Sequence, residues 1–188
     1  MNSKLRNAED KTLWDALRRG DERALHEIYH RYYSVLYNYG FKIHPDDAFV
    51  KDAIQEVFIN IINKHKQLGQ TDNIRFYLFR SLRNKIYRTL QQQSRQQNNN
   101  KDLKNSSDEM DFSIEEQIVS NEQEEERQNE IFRLLKFLSS RQQEAIYLKY
   151  YQEFDNKKIA EVMDISYQSV RTLIYKAIKE MRKQHVKI

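Results

Sequence analysis

The stretch Asp155-Asn156-Lys157-Lys158-Ile159-Ala160-Glu161-Val162-Met163-Asp164-Ile165-Ser166-Tyr167-Gln168-Ser169-Val170-Arg171 decides the reading of this 188-residue chain. Ile159, Ala160 and Val162 or Met163 give a short helix an apolar face. Asp164 stands where the chain must turn sharply. Asp tolerates the left-handed conformation better than most residues, though Gly tolerates it best. Ile165 plugs the turn, and Ser166 is a good N-cap for the helix that follows. That helix carries Val170, Ile174, Ala177, Ile178 and Met181 on one side. Arg171, Tyr175, Lys176, Lys179, Arg182 and Lys183 lie mostly around the other side or at its end. An apolar back and a basic front on the second helix of a helix-turn-helix suit a DNA major groove. The alternative is an ordinary helical hairpin with a solvated basic face.

Composition narrows the rest. Aromatic residues make up 12%, with 12 Tyr and 9 Phe, so cores can form. With 3 Gly and 1 Pro, a turn-rich β protein is disfavoured. Helical periodicity throughout points to an all-α fold. With no Cys, disulfides and thiolate metal sites are excluded. Met1 to Arg6 lead into no apolar stretch, so no signal peptide is expected. No segment approaches the ~20 apolar residues of a membrane span. These features predict a soluble cytoplasmic protein without membrane insertion.

Charge divides the chain in three. Residues 1–95 hold 17 Lys and Arg against 11 Asp and Glu, residues 96–127 hold 3 against 10, and residues 128–188 hold 12 against 7. Two basic blocks flanking an acidic one fit two modules that each meet a polyanion, joined by a segment that does not.

Periodicity predicts a short helix from about Asp10 to Arg19 with Leu13, Trp14 and Leu17 on one side. Gly20 stops it, and Asp21 caps the next helix. That second helix, about Glu22 to Tyr39, spaces Leu25, Ile28, Tyr29, Tyr32, Leu36 and Tyr39 for burial, with Gly40 and Pro45 marking its end. A third, about Asp47 to His65, buries Val50, Ala53, Ile54, Val57, Phe58, Ile61 and Ile62. A fourth runs from a cap at Asn73 to about Gln93, with Leu78, Phe79, Leu82, Ile86 and Leu90 as its core face. From Gln91 to Gln128 the composition turns polar and low in complexity, a flexible linker whose apolar residues are Phe112, Ile114, Ile118 and Val119. The second module opens with Ile131, Leu134, Leu135 and Leu138. Ser139 or Ser140 then caps a helix, with Gln142 or Gln143 as capping-box partner. That helix buries Ala145, Ile146, Leu148 and Tyr151. The reading is therefore two small helical domains, 1–95 and 128–188, joined by the linker 96–127.

The fourth helix carries a second signal. No acidic residue stands between Asp72 and Arg95, while Arg75, Arg80, Arg83, Lys85, Arg88 and Arg95 are basic. Phe76, Arg80, Arg83, Asn84 and Tyr87 fall opposite its core face. Guanidinium groups hold phosphates and aromatic rings stack on unpaired bases, so this face suits melted nucleic acid. The outer face of the third helix, Asp52, Gln55, Glu56, Ile59 and Asn63, is acidic to neutral with an apolar residue showing. It suits a protein partner better than DNA.

Enzyme signatures are missing: no G-x-x-x-x-G-K-[ST], G-x-G-x-x-G or G-x-S-x-G occurs. His26-Glu27-Ile28-Tyr29-His30 matches H-E-x-x-H, but a metalloprotease needs a third ligand and a cleft. Neither a cofactor nor a bound metal is expected.

Taken in order, these residues resemble the sigma-70 superfamily, most closely its extracytoplasmic-function group. Gly20-Asp21-Glu22-Arg23-Ala24-Leu25 with Tyr29, Tyr32 and Tyr33, then Asp52-Ala53-Ile54-Gln55-Glu56-Val57-Phe58, Phe76-Tyr77-Leu78-Phe79-Arg80 and Arg83-Asn84, look like its domain two. Leu138-Ser139-Ser140-Arg141-Gln142, Ile159-Ala160-Glu161 and Ser166 to Ala177 look like its domain four. The resemblance implies a subunit that binds core RNA polymerase, directs it to promoters and helps melt them. Asp52, Gln55, Glu56, Phe58 and Ile59 would meet the polymerase. The segment 65–73 with Arg75, Phe76, Arg80, Arg83, Asn84, Tyr87 and Arg88 would hold the melted −10 element. Ser166, Tyr167, Gln168, Ser169, Arg171, Thr172, Tyr175 and Lys176 would read the −35 duplex. An anti-sigma partner is implied by family habit. The readings left beside this one are a stand-alone helix-turn-helix regulator and a protein-interaction module.

Overall fold

The computed structural model describes residues 5–97, 112 and 130–185. The chain forms two compact units, residues 1–108 and 109–188, divided inside the segment read as a linker. Apart from Gln96, Gln97 and Phe112, that segment lies outside the described residues, and Ile114, Ile118 and Val119 lie outside with it. Among the described residues regular structure is helical, without strands.

In the first unit α1 spans Asp10–Arg18, α2 Glu22–Ile43, α3 Asp47–Lys64 and α4 Ile74–Gln97, with a 3-10 turn at His65–Gln67 before α4. Local signals set most boundaries. Gly20 takes φ 86°, which ends α1 without a Cβ penalty. The Asp21 carboxylate accepts from Arg23 N at 3.0 Å and caps α2. Asp46 accepts from Phe49 N at 3.0 Å and caps α3. Asn73 accepts from Phe76 N at 2.8 Å and caps α4. The core between the helices is built from Trp14, Ile28, Leu36, Tyr39, Ile54, Ile61, Leu78, Phe79, Leu82 and Ile86. Burying one such aliphatic side chain contributes ~1.5–3 kcal/mol.

Three sequence expectations fail in this unit. Gly40 does not end α2, which continues to Ile43 and stops before Pro45. A Cβ on Gly40 would lie 2.8 Å from Val50 Cγ1, so the glycine serves the close approach of α2 to α3. Ile62 and Tyr29 are exposed rather than buried, although one edge of Tyr29 still packs on α3. Phe58 is buried, as its periodicity predicts, with Tyr29 edge-on at 5.0 Å, so the polymerase contact that the resemblance implied for it fails.

In the second unit residues 130–135 form α5, followed by α6 at Ser140–Ile146, a π-helical turn at Tyr147–Tyr151, α7 at Asn156–Met163 and α8 at Tyr167–His185. Ser139 and Gln142 form the complete capping box of α6. Leu134, Leu135, Leu138, Ala145, Leu148, Phe154, Ile159, Val162, Val170 and Ala177 make the core, and Phe112 is buried there with its ring 5.7 Å from that of Tyr147. Tyr151 is exposed, against expectation, and Tyr147 is buried. The π turn explains this. Gln152 N donates to Tyr147 O, five residues back, and the extra residue per turn brings Gln152 to the core face in place of Tyr151.

Candidate nucleic-acid interfaces

In the first unit the exposed basic face begins at the start of α4. Ile74 N donates to Asp10 Oδ2 at 2.9 Å, alongside the local cap from Asn73. Thr71 Oγ1 accepts from Asn73 N at 3.1 Å and braces the residue before the helix. The first turn of α4 has no acidic side chain of its own and carries Arg75, while the Asp10 carboxylate from α1 takes the Ile74 amide. A cleft of about 360 Å³ opens here, lined by Asp10, Arg31, Tyr32, Val35, Asp72, Asn73 and Arg75. Burial and the hydrogen bond to Asp10 push the Tyr32 phenol well above its ordinary range, so it remains a donor.

Along α4, Arg80 and Arg88 are exposed, and Arg75, Phe76, Asn84 and Tyr87 are half-buried. Arg83 departs from the sequence reading. It is only 7% exposed, and its guanidinium lies over the Tyr87 ring at 4.0 Å. The cation holds the ring from behind by a cation–π interaction, and it is not part of the open face. Lys85, one of the basic residues counted on this helix, turns to α3 and pairs with Glu56.

The outer face of α3 exposes Asp52, Gln55, Glu56, Ile59 and Asn63, as expected. Ile59 is 52% exposed and Ile62 is 46%, so this face is more apolar than the sequence suggested. Along α2, Tyr29, Tyr33, Tyr37 and Phe41 form a ladder with successive ring centroids 5.1, 6.3 and 5.9 Å apart. Tyr37 donates to Asp47 at 2.9 Å, and the lysine hydrogen bond from Lys51, then that of Tyr37, holds the Asp47 carboxyl below its usual range. His26 and His30 are both exposed. Among the described residues no three His, Cys, Asp or Glu side chains gather as a metal site.

In the second unit Asp155 accepts from Lys158 N at 2.9 Å and caps α7. Asp164 takes the left-handed conformation, φ 53° and ψ 48°, as the turn required. Ser166 accepts from Ser169 N at 3.0 Å, and the two hydroxyls lie 2.8 Å apart, so these side chains cap α8 as well as facing outward. Tyr167, Gln168, Arg171, Thr172, Tyr175 and Lys176 are all exposed, Tyr175 at 68%. They share one face of α8, held from behind by buried Val170 and Ala177. A groove of about 400 Å³ runs along it, lined by Asn156, Gln168, Arg171, Thr172, Ile174 and Tyr175. Asn156 was not singled out by the sequence. As the first residue of α7 it carries no periodic signal, and only the folded turn brings it to α8.

Two known families match the chain. Sigma-70 region 2 matches residues 28–96, and Sigma-70, region 4 matches residues 128–181. No curated protein matches the sequence. Among solved structures, the chain is similar to CnrH, in a structure with the cytosolic domain of CnrY. The TM-score is 0.60 at 16% identity, covering 95% of this chain and 97% of that one. It is also similar to the sigma factor RpoE in complex with the anti-sigma factor NepR from Bartonella quintana. The TM-score is 0.53 at 16% identity, covering 92% and 91% of the two chains. No helix among the described residues is long and apolar enough to cross a membrane.

Proposed function

The chain belongs to the sigma-70 family, and from that premise we propose that it is a transcription initiation factor of the extracytoplasmic-function group, which reads a promoter with two chemically different faces while bound to core RNA polymerase. The observation that carries this reading is the contrast between α4 and α8. On α4, half-buried Phe76 and Tyr87 sit among exposed Arg80 and Arg88 on a stretch with no acidic residue between Asp72 and Arg95. Half-buried aromatic rings can stack on unpaired bases, while the arginines hold the backbone. On α8, a straight face of Gln168, Arg171, Thr172, Tyr175 and Lys176 offers hydrogen-bond donors and acceptors at the spacing of a duplex groove.

Arg75, Phe76, Arg80, Asn84, Tyr87 and Arg88 bind the melted −10 strand, and Arg83 supports Tyr87 from inside. Tyr167 to Lys176 enter the −35 duplex, with Ser166 and Ser169 ordering the helix start and Asn156 lining the same groove. Asp52, Gln55, Glu56 and Ile59 meet core polymerase, with Ile62 and Tyr29 extending the apolar part of that surface. Melting follows from differential binding: a face that holds unpaired bases lowers the free energy of the open promoter relative to the closed one. The protein acts by binding and not by catalysis, without a cofactor, and works in the cytoplasm. An anti-sigma partner is drawn from the structural relatives, one of which is bound to such a factor.

The test is transcription in vitro from fragmented genomic DNA, with bacterial core polymerase, with and without this protein. New start sites that share two spaced upstream elements and need the protein are expected. Absence of new starts, with folded protein and core enzyme from the matching organism, would overturn the reading in favour of a stand-alone duplex-binding regulator.

A further inference from the structure

Three side chains on one face of α1 reach the irregular segment ahead of α4. Arg18 Nε donates to Leu68 O at 2.8 Å, Trp14 Nε1 donates to Gly69 O at 2.8 Å, and Asp10 Oδ2 accepts from Ile74 N at 2.9 Å. Positions 10, 14 and 18 are four apart, so they stack along one stripe of the helix. Their partners run in the opposite order, and α1 lies antiparallel to the segment it grips. All three partners are main-chain groups. Gly69 has nothing within 4 Å of where a Cβ would be, so packing does not hold it, and the bond from Trp14 does.

The anchors are themselves fixed. Trp14 is buried and its ring lies 4.9 Å from that of Tyr77 on α4. Asp10 is shared with Tyr32, whose hydroxyl donates at 2.5 Å, and with Arg31 at 3.5 Å. Arg31 in turn donates to Ala8 O and Arg6 O, tying down the chain before α1. Residues 10–18 precede the part of the chain that matches Sigma-70 region 2, which begins at residue 28.

We propose that α1 is a positioning clasp: Asp10, Trp14 and Arg18 set the shape of residues 68–74 and thereby the base preference of the single-strand face, without touching DNA. The inference rests on the function proposed above. A short, irregular segment can present bases with a defined pocket only if its backbone has one conformation. Here that conformation is specified by side chains from a helix 50 to 64 residues away in sequence.

The test uses the full-length protein with core polymerase and fluorescent single strands carrying the −10 element found by transcription, or single-base substitutions of it. Trp14→Phe keeps the ring on Tyr77 and deletes the N–H, and Arg18→Met keeps the stem and deletes the donors. Leu17→Ala truncates a buried residue of the same helix and touches none of the three bonds. The clasp predicts that Trp14→Phe and Arg18→Met lower discrimination between the correct and substituted strands by about tenfold, ~1.4 kcal/mol. Their affinities for core polymerase and for −35 duplex stay within about twofold. Leu17→Ala lowers the melting temperature and keeps the discrimination. Equal weakening on every strand, with the ratio unchanged, would overturn the clasp, as would loss of the ratio in Leu17→Ala. Wild-type protein that binds core polymerase but distinguishes no strand would overturn the function reading, and the clasp with it.

Discussion

Gly40 offers a direct test of how the first unit is packed. It lies inside α2, where Ala should be the better helix residue by ~0.5–1 kcal/mol. The added methyl would nevertheless lie 2.8 Å from Val50 Cγ1 and 3.5 Å from both Ile86 Cδ1 and Leu82 Cδ2. All three neighbours are fully buried, so none has solvent to move into. Overpacking of this kind costs ~1–3 kcal/mol and outweighs the helix gain. Gly40→Ala should therefore destabilise the unit by about 1 kcal/mol, the net of those two ranges.

Urea unfolding followed by tryptophan fluorescence reads this cleanly, because Trp14 is the single tryptophan and is buried in the first unit. With a denaturant slope of ~1–3 kcal/mol per molar, the midpoint falls by roughly 0.5 M. The decisive measurement is the double-mutant cycle with Val50→Ala. If the close approach is the cause, the second substitution removes the clash, and the pair is less destabilising than the sum by ~1 kcal/mol or more. Gly40 acting as a helix terminus would instead give additivity within ~0.5 kcal/mol, and that result would refute the packing argument.

Arg171→Ala should weaken −35 duplex binding by ~1–3 kcal/mol in a fluorescence titration and leave affinity for core polymerase unchanged; loss of both would sink the separation of roles. Arg80→Ala should slow promoter opening, read by permanganate reactivity, and should be rescued little by pre-melted template, because it holds the single strand itself; equal effects on closed duplex capture would argue against this. Ile59→Glu should reduce core polymerase affinity by ~1.5–3 kcal/mol, the worth of one buried aliphatic side chain, with the melting temperature unchanged since the residue is exposed. The Asp155 carboxyl is held below its ordinary value first by the amide of Lys158, against desolvation. A depressed folded pKa means the cap is fully present above the ordinary carboxylate value and is lost as pH falls through the folded one. Asp155→Asn, also a good cap, should match wild type near pH 7 and lose less stability as pH falls below the ordinary carboxylate value in thermal melts.

The features legible in the sequence are those built by neighbours along the chain. Asp164 in the left-handed turn, the Ser139–Gln142 box, the caps at Asp21 and Asn73 and the outward face of α8 each follow from side chains within a few residues of the backbone they serve. The misread residues depend on something distant or on a helix that is not regular. Gly40 was read as punctuation because its reason for being there is Val50, across the helix pair. Arg83 stands on the predicted DNA-holding face by helical spacing, and its place over Tyr87 and in the core depends on packing around α4. Tyr151 and Gln152 exchanged roles because the extra residue of a π turn leaves no periodic trace. Asp10, Trp14 and Arg18 went unnoticed as site residues because their partners are carbonyls and an amide, which every residue type carries.

This difference has a physical consequence for the two faces proposed to bind nucleic acid. The α8 face is ordered by its own cap and by a short turn, so the substitutions that disturb it lie within or next to it. The start of α4 is ordered by α1 and α2 through Asp10, Arg31 and Tyr32, and its ring at Tyr87 by buried Arg83. Its shape therefore depends on residues outside the face itself. A face for duplex can be built locally, because the regular helix already matches a regular groove. A face for unpaired bases has no regular partner to match, so its irregular backbone must be held from elsewhere in the fold. Substitutions that change base preference without changing polymerase binding should accordingly cluster in α1 and around Arg83 for the −10 element, and within Tyr167 to Lys176 for the −35 element.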